Sequence, residues 1–137
     1  MKFLTVLIAA GLLAACAAKS SDEERVRALV ASVEAAAEAR DTSDVLEFVA
    51  ADYADKQGLD KAELKNFLRG YFLSHPKIEL LVNIESLEFP VDGLARARIG
   101  VASVSLDQIG GDSVTLDVEL RRGGGDWRVS RADRVAR

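Results

Sequence analysis

The hydrophobic period of this chain changes once, at Pro76, and that change restricts the fold more than any other feature. Before Pro76 apolar residues recur at helical spacing; after it they alternate. Val26, Leu29, Val30, Val33 and Ala37 make one helix face, with Arg25, Arg27, Glu34 and Glu38 on the other side. Ser21-Asp22-Glu23-Glu24 has the form of a capping box and predicts a first helix from Ser21 to about Arg40. Asp41-Thr42-Ser43-Asp44 offers new N-caps, and a short second helix is predicted over Ser43–Ala51, presenting Val45, Leu46 and Val49. Asp60 and Glu63 form a second box. The third helix then shows Leu64, Phe67, Leu68, Tyr71 and Phe72 on one face and stops before proline.

From Ile78 the period is two. Ile78, Leu80, Val82 and Ile84 alternate with polar partners, Leu87 and Phe89 continue on the opposite parity, and a bulge is predicted near Ser86. Asp92-Gly93 turns the chain into Ala95, Ala97, Ile99 and Val101, with a second parity switch near Ala102. Gly110-Gly111-Asp112 and Gly123-Gly124-Gly125-Asp126 bracket Val114, Leu116, Val118 and Leu120, and Trp127 opens the last strand. Helices first and hairpin-linked strands after them predict an α+β fold: three N-terminal helices packed on a curved, four-stranded antiparallel sheet.

The N-terminus carries a different message. Lys2 precedes the apolar run Phe3–Leu13, and Ala14-Ala15 supplies small residues before Cys16, the one cysteine among 137 residues. This is the layout of an export signal, and Phe3–Ala15 is shorter than the ~20 residues that span a bilayer. Leu13-Ala14-Ala15-Cys16 resembles the lipobox of bacterial lipoproteins. The resemblance implies cleavage before Cys16, a diacylglyceryl thioether with further acylation such as palmitate, and stable anchoring by two or more acyl chains. Ala17 in place of an aspartate points, within that family, to the outer membrane facing the periplasm. The expected organisation is a leader at 1–15, a lipidated cysteine with a short tether at 16–21, and one domain at 22–137. Four extended residues, Ala17–Ser20, reach roughly 15 Å, which keeps the domain close to the bilayer.

Loss of the leader removes Lys2 and leaves 17 basic against 22 acidic residues, a net charge of about −5. No basic patch stands out, so nucleic acid is not an expected partner. One cysteine excludes an intrachain disulfide.

The order of elements, together with Phe48-Val49-Ala50-Ala51-Asp52-Tyr53, the Asp60–Phe72 helix and Gly125-Asp126-Trp127-Arg128-Val129, resembles the nuclear transport factor 2-like (SnoaL-like, cystatin-like) superfamily over about Asp22–Val135. The resemblance implies a cone with a pocket at its open end. Its members include isomerases, dehydratases and cyclases beside many non-catalytic binding modules, so the fold does not choose among them.

Chemistry-bearing residues are few. A pocket enzyme needs a base and a proton donor, and the neighbours Asp52 and Tyr53 are the one such pair placed where these pockets open. Tyr71, Asn83, Arg98 and Trp127 complete the candidate pocket set; His75, the one histidine, precedes Pro76 at an exposed turn. No metal-ligand pattern, phosphate loop or nucleophile elbow is present in the sequence, and no cofactor is implied. The expected function is a membrane-anchored envelope lipoprotein whose non-catalytic domain binds a small apolar ligand or an envelope protein. The alternatives are an isomerase- or dehydratase-like enzyme using Asp52 and Tyr53, and a purely structural interaction protein. Thr115, Asp117, Glu119 and Arg121 make one strand face polar and predict a monomer or a weak homodimer.

Overall fold

The computed structural model describes residues 10–104 and 112–135, and for residues 10–20 the helical backbone alone. The leader residues 1–9, the side chain of Cys16 and the Gly110-Gly111 turn lie outside what is described. Three helices are followed by four strands: α1 (Ala10–Glu38), α2 (Thr42–Glu47), α3 (Lys61–Ser74), β1 (Leu80–Val91), β2 (Leu94–Ser103), β3 (Ser113–Gly123) and β4 (Asp126–Arg134). The sheet is an antiparallel meander in the order β1-β2-β3-β4. Among the described residues no helix is long and apolar enough to cross a membrane.

α1 begins earlier than the Ser21 box predicts. The Ala- and Leu-rich residues before it are strong helix formers, so the helix runs through Ser21 without a break. Its C-terminus closes with Arg40 at φ 56°, where the amides of Arg40 and Asp41 return to the carbonyls of Ala37 and Ala36, both at 3.0 Å. Asp41 then caps α2 by accepting from the amide of Asp44 at 3.0 Å. α2 stops at Glu47, short of the predicted Ala51, because the next residues pair with the sheet. Val129 donates to Phe48 O at 2.7 Å and Ala50 donates to Val129 O at 2.8 Å. The α3 capping box forms as predicted, with the Glu63 amide donating to Asp60 at 2.8 Å and the Asp60 amide to Glu63 at 3.3 Å.

The predicted bulge in β1 lies at Glu85, between the Ile84–Ile99 and Ser86–Arg98 pairs. The one expected near Ala102 is absent: β2 and β3 stay in register from Leu94–Arg121 to Ala102–Ser113, and the parity change falls beyond the end of β2 at Ser103. Two irregularities were not legible. One lies at Phe89–Pro90, where β1 is an edge strand and tolerates the missing proline donor. The other lies at Ser130 in β4, between the Leu120–Val129 and Glu119–Arg131 pairs.

Two buried clusters hold the layers together. Val26 and Leu29 of α1 meet Ala95, Ala97, Ile99, Val118, Leu120 and Trp127 of the sheet. Ala36, Val45, Phe72 and Ile78 join the three helices at the start of β1. α3 departs from the sequence reading. Phe72 is buried, but Phe67 and Tyr71, expected on the same face, are exposed at 57% and 37%. Leu64, Leu68 and Phe72 suffice to cover the space beneath a helix this short.

Candidate functional site

Between the helices and the inward face of the sheet lies a cavity of about 350 Å³. α1 contributes Leu29, Val30 and Val33, α3 contributes Leu64 and Leu68, and alternate residues of all four strands form the floor. The wall is carbon almost throughout, with Glu34 adding a methylene stem and Tyr53 a ring. The helical period places Glu34 on the polar face. Its position four residues after Val30 and one after Val33 sets it at the edge of the apolar stripe, which is the signal that could have placed it here.

Of the six candidate pocket residues, Tyr53 alone lines this cavity. Its ring is buried, and its hydroxyl donates to Asp55 Oδ2 at 2.8 Å, with Ala132 O at 3.4 Å. Burial, the hydrogen bond to Asp55 and the nearby carboxylate charges push the phenol well above its ordinary range, so it stays protonated. Asp52 does not share the site. Its side chain is 73% exposed and pairs with Arg121 at 3.4 Å. The Asp52–Tyr53 pair therefore does not assemble: Ala51 and Asp52 form a turn, closed by the Tyr53 amide donating to Ala50 O at 3.1 Å, that leaves Asp52 in solvent while Tyr53 enters the core.

Asp55 and Asp133, which sequence reasoning missed, hold the segment that carries Tyr53. Asp55 Oδ1 accepts from the amides of Gln57 and Leu59 at 3.0 and 3.1 Å. Asp133 is buried and accepts from the Lys56 amide at 2.7 Å while pairing with Arg131. Burial alone would raise the Asp133 carboxyl; the Lys56 amide and the Arg131 guanidinium outweigh it and hold it below the usual carboxylate range.

The remaining candidates lie elsewhere. Asn83 and Arg98 are on the outward face of the sheet, where Arg98 pairs with Asp117 at 3.0 Å. Tyr71 stacks on His75, ring centroids 4.0 Å apart, on the outside of α3. Trp127 is buried against the middle of α1. Its Nε1 donates to Asp22 at 3.3 Å, Phe89 meets it edge-on at 5.9 Å, and the Arg122 guanidinium lies 5.5 Å from its ring centroid. Arg122 in turn donates to both oxygens of Asp22 at 2.9 Å and to Asp92 at 2.7 Å. This cluster clamps α1 to both hairpins. Trp127 also borders a larger groove of about 990 Å³ lined by Arg25, Glu47, Lys61 and Arg128, whose charged rim contrasts with the apolar cavity.

No group of three or more His, Cys, Asp or Glu side chains suited to a metal occurs among the described residues.

No family model matches the chain, and no curated protein is significantly similar to it. Solved structures are. A protein of unknown function with a cystatin-like fold from Nostoc punctiforme matches with a TM-score of 0.70 at 15% identity, over 82% of this chain and 89% of that one. An NTF-2 like protein of unknown function from Shewanella oneidensis matches with a TM-score of 0.66 at 11% identity, over 82% of this chain and 98% of that one. A candidate scytalone dehydratase from Novosphingobium aromaticivorans matches with a TM-score of 0.70 at 9% identity, over 86% and 87%. At these identities the likeness is one of fold: this is an α+β domain with nuclear transport factor 2-like and cystatin-like neighbours.

Proposed function

We propose that this chain is a lipid-anchored envelope protein, tethered through Cys16 at the outer membrane, whose domain holds a small apolar ligand without transforming it. The observation that supports ligand binding is the cavity: about 350 Å³, at the small end of ligand sites, and walled by carbon. A pocket enzyme needs a base and a proton donor aimed at one point. Here Tyr53 is committed to Asp55, and Asp52 faces solvent. The anchor is supported by the Leu13-Ala14-Ala15-Cys16 sequence and by the unpaired cysteine that a thioether would cap.

The test is native mass spectrometry of the processed protein, extracted gently from a bacterial envelope. A bound apolar molecule that Val33→Phe displaces by narrowing the cavity supports the reading; a bare protein that takes up no apolar dye sinks it. Intact mass of the same sample tests the anchor, which Cys16→Ala should abolish. Turnover of the captured molecule that Tyr53→Phe eliminates would instead favour the enzyme alternative, with the phenol as proton donor.

A further inference from the structure

α3 is two-sided. Its inner side, Leu64, Leu68 and Phe72, faces the cavity and the core. On the outer side Phe67, Gly70 and Leu73 recur every third residue, with Phe67 57% and Leu73 85% exposed. Tyr71 stacks beside Phe67 at 6.3 Å. Gly70 is unexplained by packing, because a Cβ there would meet nothing within 4 Å. A mid-helix glycine is unfavourable in itself, and here it leaves a flat gap between two exposed apolar side chains.

The charge around this strip opposes that of the molecule. From Lys61 to Lys77 there are four Lys and Arg residues against one acid, Glu63, in a chain whose net charge is −4. The rest of the chain therefore carries −7. Lys61 reaches Val49 O at 2.9 Å and Lys77 approaches Glu79 at 3.6 Å. Among the described residues Lys65 and Arg69 have no carboxylate within ion-pair distance. Arg40 adds a further cation at the helix end, donating to Phe72 O at 3.0 Å.

We propose that the outer side of α3 docks this domain on an anionic phospholipid bilayer. Exposed Phe and Leu enter the interface, Tyr71 sits at headgroup level, and Arg69, with the half-buried Lys65 one turn before it, flanks the strip on the Leu73 side and reaches toward phosphate. The charge complementarity selects lipid over a neutral partner, and because the surface potential of anionic lipid falls off within a Debye length, the cations of the face lying against the bilayer carry the attraction. The inference rests on the envelope reading for a bilayer within reach. With acyl chains already holding the domain near the bilayer, a basic apolar face sets how the domain lies against that surface.

The experiment uses the full chain, exported and processed by a bacterium, purified in mild detergent and placed in vesicles of phosphatidylcholine alone or with phosphatidylglycerol. With Cys16 lipidated, Leu73→Cys supplies the one free thiol for an environment-sensitive fluorophore. In the anionic vesicles its emission should shift to the blue, be quenched by a bilayer-borne quencher, and revert in high salt. Lys65→Glu with Arg69→Glu should weaken the association by on the order of thirtyfold or more, since each cation near such a surface contributes about fivefold. Emission of Trp127, the one tryptophan, verifies that each variant is folded. A label that stays aqueous on both vesicles, that responds equally to neutral and anionic lipid, or that is shielded only when an envelope protein is added overturns the proposal. Intact mass separates the two readings. If Cys16 proves unlipidated, the anchor fails by itself, and flotation of that same chain with the two vesicle types still decides the role of α3.

Discussion

Two buried acidic contacts set what individual residues contribute. Asp133 has a carboxyl held below its unfolded value of ~3.9, so its stabilisation is present above about pH 4 and is lost as pH falls toward the lower folded value. Asp133→Asn should therefore destabilise by about 1–3 kcal/mol at neutral pH, with the gap to the unaltered protein narrowing below about pH 4 in denaturant titrations. Tyr53 has the opposite sign. Its phenol is raised by burial first and by Asp55 second, so its contribution holds up to about pH 10 and fades as pH rises beyond. Ultraviolet titration should show one tyrosine ionising only with alkaline unfolding, and Tyr53→Phe should remove that feature. Midway along α1, Asp22→Ala leaves Arg122 and the Trp127 N–H without their shared acceptor. A red shift of tryptophan emission and a loss of about 1–3 kcal/mol are expected. The candidate pair Asp52 and Tyr53 was legible as chemistry in the sequence but not as geometry. Adjacency along the chain says nothing of which side each residue faces once the backbone turns, as it does at Ala51-Asp52. Asp22 and Arg122, 100 positions apart, carried no sequence signal for each other.

Among the elements, those governed by local rules were legible and those governed by pairing were not. The α3 box was read from Asp60 and Glu63 because a cap is made within four residues. Asp60→Ala should cost about 1 kcal/mol and shorten α3 at its start, measurable as lost amide protection in the first turn. The periodicity overextends α2 because Val49 suits a helix face as well as it suits a bridge to Val129. The β1 bulge showed as a parity change in the sequence, whereas Ser130 in β4 did not, because the polar residues around it alternate weakly. Arg40 is instructive. Its φ of 56° favours glycine, yet its guanidinium donates to Phe72 O at 3.0 Å and His75 O at 3.4 Å, joining the ends of α1 and α3. Relief of backbone strain in Arg40→Gly is offset by loss of that link, so a stability change within about 1 kcal/mol is expected, with faster hydrogen exchange confined to the last turn of α3.

Across the whole molecule, the cavity and the core compete for the same side chains. Leu120 is fully buried and forms part of the cavity floor, and Leu120→Ala should cost about 2–5 kcal/mol while enlarging the space available to a ligand. A calorimetric loss accompanied by uptake of a bulkier apolar probe would show both effects. By itself the sequence determined the fold class, the order of elements, two helix caps and the alternation that makes one sheet face apolar, because these follow from periodicity and short-range hydrogen bonding. Only the tertiary structure decided which apolar residues fill the core, which line an open volume, and which are left outside on α3. Hydrophobicity specifies that a side chain has a reason to leave water; the space available between helix and sheet, a property of the packed layers, selects which side chains are able to.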